Sequence, residues 1–180
     1  RHTNSPWGGA RDCIGGRRMI KFTKVTSTAA PAPALLLIPG GPGLSSLTLR
    51  SLDILKRSFE LYYVDFPGTN GVPYDRDRTF EDLGAELASE VDKIGKPVFA
   101  LGHSFGGLFA ADLALRSSLV KGVACVATPF SLRSIEAAGP RFEASKSPAL
   151  KEAEVRFSSN PTDGTFAAWL AEYEGCYFSS

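Results

Sequence analysis

One heptapeptide constrains this chain more than any other stretch: Leu101-Gly102-His103-Ser104-Phe105-Gly106-Gly107. An apolar run at 97–101 precedes it and a helical pattern at 108–116 follows, so Ser104 falls where a strand turns directly into a helix. Gly-x-Ser-x-Gly in that setting is a nucleophile elbow, a sharp turn that holds its serine in a strained backbone conformation. Gly102 and Gly106 follow from the same geometry, because a Cβ at either position crowds the turn or the helix packed on it. The helix begins at the serine, so its N-terminal dipole and unpaired N–H groups face charge developing on Ser104. As five letters alone, the pattern also fits a structural Gly-Ser turn. The strand before it, the helix after it and Gly107 favour a nucleophile.

A second glycine-rich loop lies upstream. The run Ala34-Leu35-Leu36-Leu37-Ile38 reads as a strand buried on both faces, and it leads into Pro39-Gly40-Gly41-Pro42-Gly43. Adjacent glycines at a strand end let backbone N–H groups approach a ligand. Loops of this kind supply one oxyanion-hole donor, and the residue after the nucleophile supplies the other. The donors are then the amides of Gly41 and Phe105, with Gly40 and Gly43 shaping the loop. Taken alone the loop fits a plain Gly/Pro turn equally well. Its position ahead of Ser104 decides for the functional reading.

Between these landmarks strands and helices alternate. Residues 19–26 alternate like a strand, and 44–57 carries leucines at 44, 47, 52 and 55, a helical face. Residues 60–65 form the next strand and end at Asp65, which precedes the serine where a triad acid in this order follows it, so a loop-bracing role is expected. Thr79 caps a helix whose apolar stripe is Phe80, Leu83, Leu87, Val91 and Ile94; its acids lie off that stripe and read as a solvated face, not a metal site. Phe105, Leu108, Phe109, Leu113 and Leu115 are expected to pack the elbow helix on the sheet, and 120–127 reads as another buried strand. The alternation implies a mostly parallel sheet with right-handed crossovers, and the Gly loop, Asp65 and Ser104 all fall at strand carboxyl ends, where such sheets bind ligands. Residues 131–180 have no further strand and read as a helical lid over those ends, with a turn at Asn160-Pro161-Thr162-Asp163 starting a helix over 166–174.

Composition removes several alternatives. Twenty basic and nineteen acidic residues give a net charge of +1, so no field draws the chain to nucleic acid or an anionic membrane. The longest apolar stretch is far short of a membrane span. Cys13, Cys125 and Cys176 are odd in number and scattered, which favours reduced thiols and a cytoplasmic setting, with Cys125 as a small core residue. Residues 1–18 hold four arginines and four glycines without periodicity. They read as a leader, vector-derived or disordered, with Met19 as the native start. Arg17-Arg18 is not a twin-arginine signal, since no apolar segment follows.

The order Gly-Gly-Pro-Gly, then Gly-His-Ser-Phe-Gly-Gly, then a helical insert resembles the α/β-hydrolases. More narrowly, Pro39-Gly40-Gly41-Pro42-Gly43 is similar to the HGGPG loop of prolyl iminopeptidases, and 160–173 looks like part of their cap. The resemblance covers 19–180. It implies an α/β-hydrolase fold with a mostly parallel sheet, 19–130 as the N-terminal part of the core, and 131–180 as an incomplete helical cap with the C-terminal strands missing. It also implies Ser104 as nucleophile, no cofactor or metal, and a small ester or short peptide as substrate, with cap acids such as Glu172 or Glu174 holding a free amine. Two departures matter. Pro39 replaces the loop histidine and Asp65-Phe66-Pro67-Gly68 departs from the family's Asp-Gln-Arg-Gly, which leaves peptidase and esterase both open.

The other departure is the missing base: His2 lies in the leader, and His103 adjoins Ser104 on the turn and points elsewhere. This fold places its triad as Ser, then Asp or Glu, then His. The expectation is an N-terminal part of a longer enzyme, nearly inactive alone, whose exposed sheet edge after 120–127 pairs with a second copy or a complementing C-terminal segment. The alternative class is a non-catalytic binding module that keeps the elbow as scaffold.

Overall fold

In β2 (Ala34–Ile38) every residue is buried, and successive side chains leave on opposite faces. The computed structural model describes residues 20–41 and 43–175; residues 1–18, Met19 and Cys176 therefore lie outside the described residues. Around β2 a five-stranded sheet is ordered β1-β3-β2-β4-β5, with β1 at Lys21–Val25, β3 at Glu60–Asp65, β4 at Val98–His103 and β5 at Val120–Val126. The β2–β3, β2–β4 and β4–β5 pairs are parallel, and only β1 runs antiparallel, against β3.

The two faces of β2 build two cores. Ala34, Leu36 and Ile38 join Val64, Val98 and Ala100 under α1 (Phe80–Asp92) and α2 (Gly106–Arg116), which contribute Leu87, Val91, Phe109 and Leu113. Leu35 and Leu37 join Leu61 and Tyr63 under Leu49 of a 3-10 helix, Ser46–Arg57. The Tyr63 hydroxyl donates to Asp53 of that helix, and burial together with this carboxylate raises the phenol above its ordinary range. Helix α1 starts where Thr79 and Asp82 form a reciprocal capping box, which fixes Phe80 and Leu83 in its first turn.

This order has a functional consequence. From β2 the chain steps to β3 on one side, then crosses back over α1 to β4 on the other. The connections therefore leave the carboxyl ends of β2 and β4 in opposite directions. The crevice between two such adjacent strands is the topological switch point, where open α/β sheets bind ligands.

Three expectations need correction. Residues 120–126 form a strand at the expected edge of the five described strands, but not a buried one: Val123 and Val126 are exposed. Leu115 is 89% exposed on the outer side of α2, while Gly106, Gly107, Phe109, Ala110 and Leu113 make the packed face. The segment after the Gly loop winds as a 3-10 helix, so Leu47 is exposed and the inward stripe is Ser46, Leu49, Leu52 and Leu55, every third residue.

The chain divides after Thr128 into two compact units. The second consists of α3 (Leu132–Ser145), α4 (Pro148–Ser159) and α5 (Asp163–Glu174). Side chains of Ser131, Ser147 and Thr162 cap the three N-termini. Phe157, Phe166, Trp169 and Tyr173 stack along α4 and α5, and Lys146 bridges Glu143 and Glu154. Among the described residues no helix is long and apolar enough to cross a membrane.

Candidate active site

The carboxyl end of β4 delivers Ser104 in the left-handed region, at φ +52°. A non-glycine residue there costs on the order of 1–3 kcal/mol and persists only where its surroundings hold it. They do so here from both sides. The Ser104 N–H donates to the Val126 carbonyl at 2.8 Å, anchoring the turn to β5, and the Ser104 carbonyl accepts from Gly107 N–H at 3.0 Å, starting α2. Gly102 is indispensable to this arrangement: a Cβ on it would overlap the Gly106 carbonyl and come within 2.5 Å of the Gly107 Cα. A Cβ on Gly106 would in turn strike the carbonyls of Ile38 and Pro39. The two glycines let α2, β4 and the end of β2 approach backbone to backbone.

That approach brings the Gly loop to the serine. A Cβ on Gly40 would lie 3.2 Å from the Ser104 Cβ and 3.0 Å from His103 Nδ1, so Gly40 packs directly on the elbow. Gly41 has φ +123°, and a Cβ there would lie 2.6 Å from the Gly43 nitrogen, so the loop closes this tightly only with glycine. Gly43, at φ +98°, completes the turn; Pro42 lies outside the described residues. Phe105 follows Ser104 in helical conformation and caps α2, whose N-terminal dipole faces the same crevice. The sequence-derived set Ser104, Gly40, Gly41, Gly43, Gly102, Phe105 and Gly106 thus comes from two separate loops to one place.

Asp65 is fully buried at the carboxyl end of β3. Its Oδ1 accepts from Ser46 N–H at 2.8 Å, and its Oδ2 accepts from Ser46 Oγ at 2.9 Å and Asn70 Nδ2 at 2.8 Å. The carboxylate ties the segment leaving the Gly loop to the loop after β3. Ser46 and Asn70 were not legible as partners: they lie 19 and 5 residues from Asp65 and carry no local signal. Among the described residues, no hydrogen bond joins Ser104 Oγ to an imidazole or a carboxylate. No group of three His, Cys, Asp or Glu side chains among them is placed to hold a metal ion.

Beside Gly40 and Phe105 opens a cavity of about 270 Å³. Phe66, Phe80, Phe105 and Phe109 form one aromatic cluster on its wall: Phe109 stacks on Phe66 at 4.5 Å and on Phe80 at 4.3 Å, with Phe105 edge-on at 5.7 Å. Leu44 and Leu83 add aliphatic surface, and Arg78 stands 3.7 Å from Asp75 and 3.2 Å from Glu86. A wider depression along Ala88, Asp92 and Arg116 is lined by α1 and α2 residues and does not include Ser104.

The model of the alpha/beta hydrolase family matches residues 35–178, more than half of the sequence. The chain belongs to the alpha/beta hydrolase family. No curated protein matches it at the sequence level. Among solved structures, the proline iminopeptidase of Mycobacterium smegmatis aligns at 20% identity with a TM-score of 0.63, covering 87% of this chain and 64% of that one. VinJ aligns at 18% identity and a TM-score of 0.67, over 87% of this chain and 56% of that one. An esterase from a marine microorganism aligns at 20% identity and a TM-score of 0.52, over 86% and 64%. These likenesses establish the shared fold, and this chain spans between 56% and 64% of their lengths.

Other sequence-derived candidates fall elsewhere. Cys125 is half-buried on edge strand β5, with its Sγ 3.5 Å from the Gly107 carbonyl, and is not a core residue. Glu172 is exposed on α5, and the Glu174 side chain lies outside what the structure describes. The aromatic cavity went unread because its four phenylalanines come from the β3 loop, α1 and the elbow. In the sequence each serves equally well as core.

Proposed function

We propose that the chain carries the nucleophile half of a cofactor-independent serine hydrolase that cleaves an ester or amide bond through an acyl-enzyme. The observation supporting this most is the left-handed Ser104 packed against Gly40 at the sheet's switch point. Ser104 Oγ attacks the substrate carbonyl carbon, and the oxyanion is received by the N–H groups of Gly41 and Phe105. The tetrahedral species collapses, expelling the alcohol or amine and leaving an acyl group on Ser104, which water then removes.

The Oγ proton needs an acceptor. In this fold the acid and then the histidine follow the nucleophile, and no histidine follows Ser104 in this sequence. On this proposal the histidine, and the acid that orients it, come from residues outside the given sequence. Alone, the chain is left with the share of catalysis that the oxyanion hole and binding retain, about 10³–10⁴ over water. Two substrate classes suit the site: peptides with an N-terminal proline, as the name of the M. smegmatis relative suggests, and carboxylic esters, as that of the marine relative suggests.

The test is acyl trapping. The chain is incubated with p-nitrophenyl butyrate, acid-quenched and mapped by peptide mass. Slow accumulation of a butyryl group on Ser104 without a burst, absent from Ser104→Ala, is the expected result. Nitrophenol release that Ser104→Ala leaves unchanged, with no acyl peptide, supports instead a binding module that keeps the elbow as scaffold.

A further inference from the structure

The cavity behind the Gly loop has a composition that specifies its occupant. Its walls are mostly aromatic and aliphatic, with Thr69, Asp75, Arg76 and Arg78 as the polar members; Asp75, the one carboxylate among the described lining residues, stands 3.7 Å from Arg78, which also reaches Glu86. Arg76 stands by Asp77 with most of its side chain in solvent. The one lining carboxylate already faces a guanidinium, and the lining carries more basic than acidic groups, which disfavours an amine. The cavity also begins next to the reactive group, since Gly40 and Phe105 line it and both adjoin Ser104.

Size narrows the choice further. A dry cavity of about 150 Å³ lined by Leu, Ile and Phe takes one benzene ring. The cavity here is about 270 Å³, room for a ring and a short alkyl chain. Such a group meets the half-buried rings of Phe66, Phe80 and Phe105, which buried Phe109 backs, and aromatic pairs gain beyond simple burial.

We propose that this cavity is an acyl subsite for a neutral arylalkyl or medium-chain acyl group, so that esters of such acids are preferred over peptides with a charged N-terminus. The subsite rests on Ser104 as nucleophile for its catalytic meaning, but not for its ability to bind. Thr79 and Asp82 hold the first turn of α1, and with it Phe80 and Leu83, in place whether or not the serine reacts. Substrate selectivity is therefore built in part into the core unit itself.

The test separates the two assignments. First, 4-phenylbutanamide is titrated into Ser104→Ala and into the double variant Ser104→Ala/Leu83→Trp, whose indole fills the cavity. Saturable binding to the former, weakened at least tenfold in the latter, is expected; burying a ring and three methylenes accounts for a change of about that size or more. Absent binding, or equal binding to both proteins, overturns the subsite. Second, Ser104 labelling rates are compared for fluorophosphonates bearing an ethyl or a 4-phenylbutyl chain. The phenylbutyl probe should react about tenfold faster or more, and Leu83→Trp should collapse that ratio towards one. Equal rates in the wild type overturn the subsite while leaving the nucleophile standing. Binding of the amide with no labelling by either probe leaves the cavity assignment standing beside a nucleophile without its base. If circular dichroism shows that Leu83→Trp does not fold, Leu44→Trp, at another lining residue, carries the same comparison.

Discussion

Replacing Ser104 with glycine should make the protein more stable than replacing it with alanine. The φ of +52° costs a side chain bearing a Cβ about 1–2 kcal/mol. Alanine keeps that cost and glycine removes it. Glycine also frees the unfolded chain, which takes back about 0.4–1 kcal/mol. The difference leaves Ser104→Gly ahead of Ser104→Ala by roughly 0.5–1 kcal/mol. Loss of the hydroxyl is common to both variants, and both keep the N–H that donates to Val126, so the comparison isolates the backbone. In urea, with an m-value of about 2 kcal/mol/M, the midpoints should differ by about 0.3–0.5 M with equal slopes. Equal midpoints, or a more stable alanine variant, would refute the assignment of strain to the elbow.

Three further outcomes follow from the same geometry. Gly102→Ala forces a Cβ onto the Gly106–Gly107 backbone and should cost about 3 kcal/mol, the upper end for overpacking, because backbone cannot rotate aside; a urea midpoint like that of the wild type contradicts it. Thr128 Oγ1 is buried without a partner against Gly107, so Thr128→Val should stabilise by about 1 kcal/mol, and a loss of stability would show that the hydroxyl is satisfied. At the amino end of the sheet, Lys96, Tyr62 and Lys24 hold the Glu60 carboxyl down from 4.5 to about 2. A depressed carboxylate stabilises the fold above its unfolded pKa, and that contribution fades as pH falls from about 4.5 towards 2. The full shift sets a ceiling of about 3 kcal/mol; Lys24 is half exposed and screened, so about 1–2 kcal/mol is expected. Glu60→Gln should therefore be less stable by that amount at neutral pH and equal to the wild type near pH 2; a gap independent of pH would argue against the ion cluster.

The elbow and the Gly loop were legible because both announce themselves locally, by glycines where the apolar period changes. The buried β2 was legible for a similar reason: five consecutive apolar residues leave no wet face. What misled was everything that depends on neighbours. The apolar pattern of 120–127 suggests a buried strand, although the expected exposed edge after it is where β5 lies, and Val123 and Val126 are exposed there. Leucines at 44, 47, 52 and 55 suit a 3.6-residue period, but the 3.0-residue winding of the 3-10 helix selects Ser46, Leu49, Leu52 and Leu55 instead. The role of Asp65 was inferable from chain order, whereas its partner Ser46 was visible only in the fold. The aromatic cavity belongs to the same class, since no local window contains Phe66, Phe80 and Phe109 together.

The most direct test of the central claim, that Ser104 is the reactive group at the switch point, is intact mass before and after a fluorophosphonate probe, with the adduct mapped by peptide. A single phosphonyl adduct on Ser104, absent from Ser104→Ala, is predicted. Label on other serines with Ser104 unmodified would contradict it, whereas an unchanged mass would mean a nucleophile without its base.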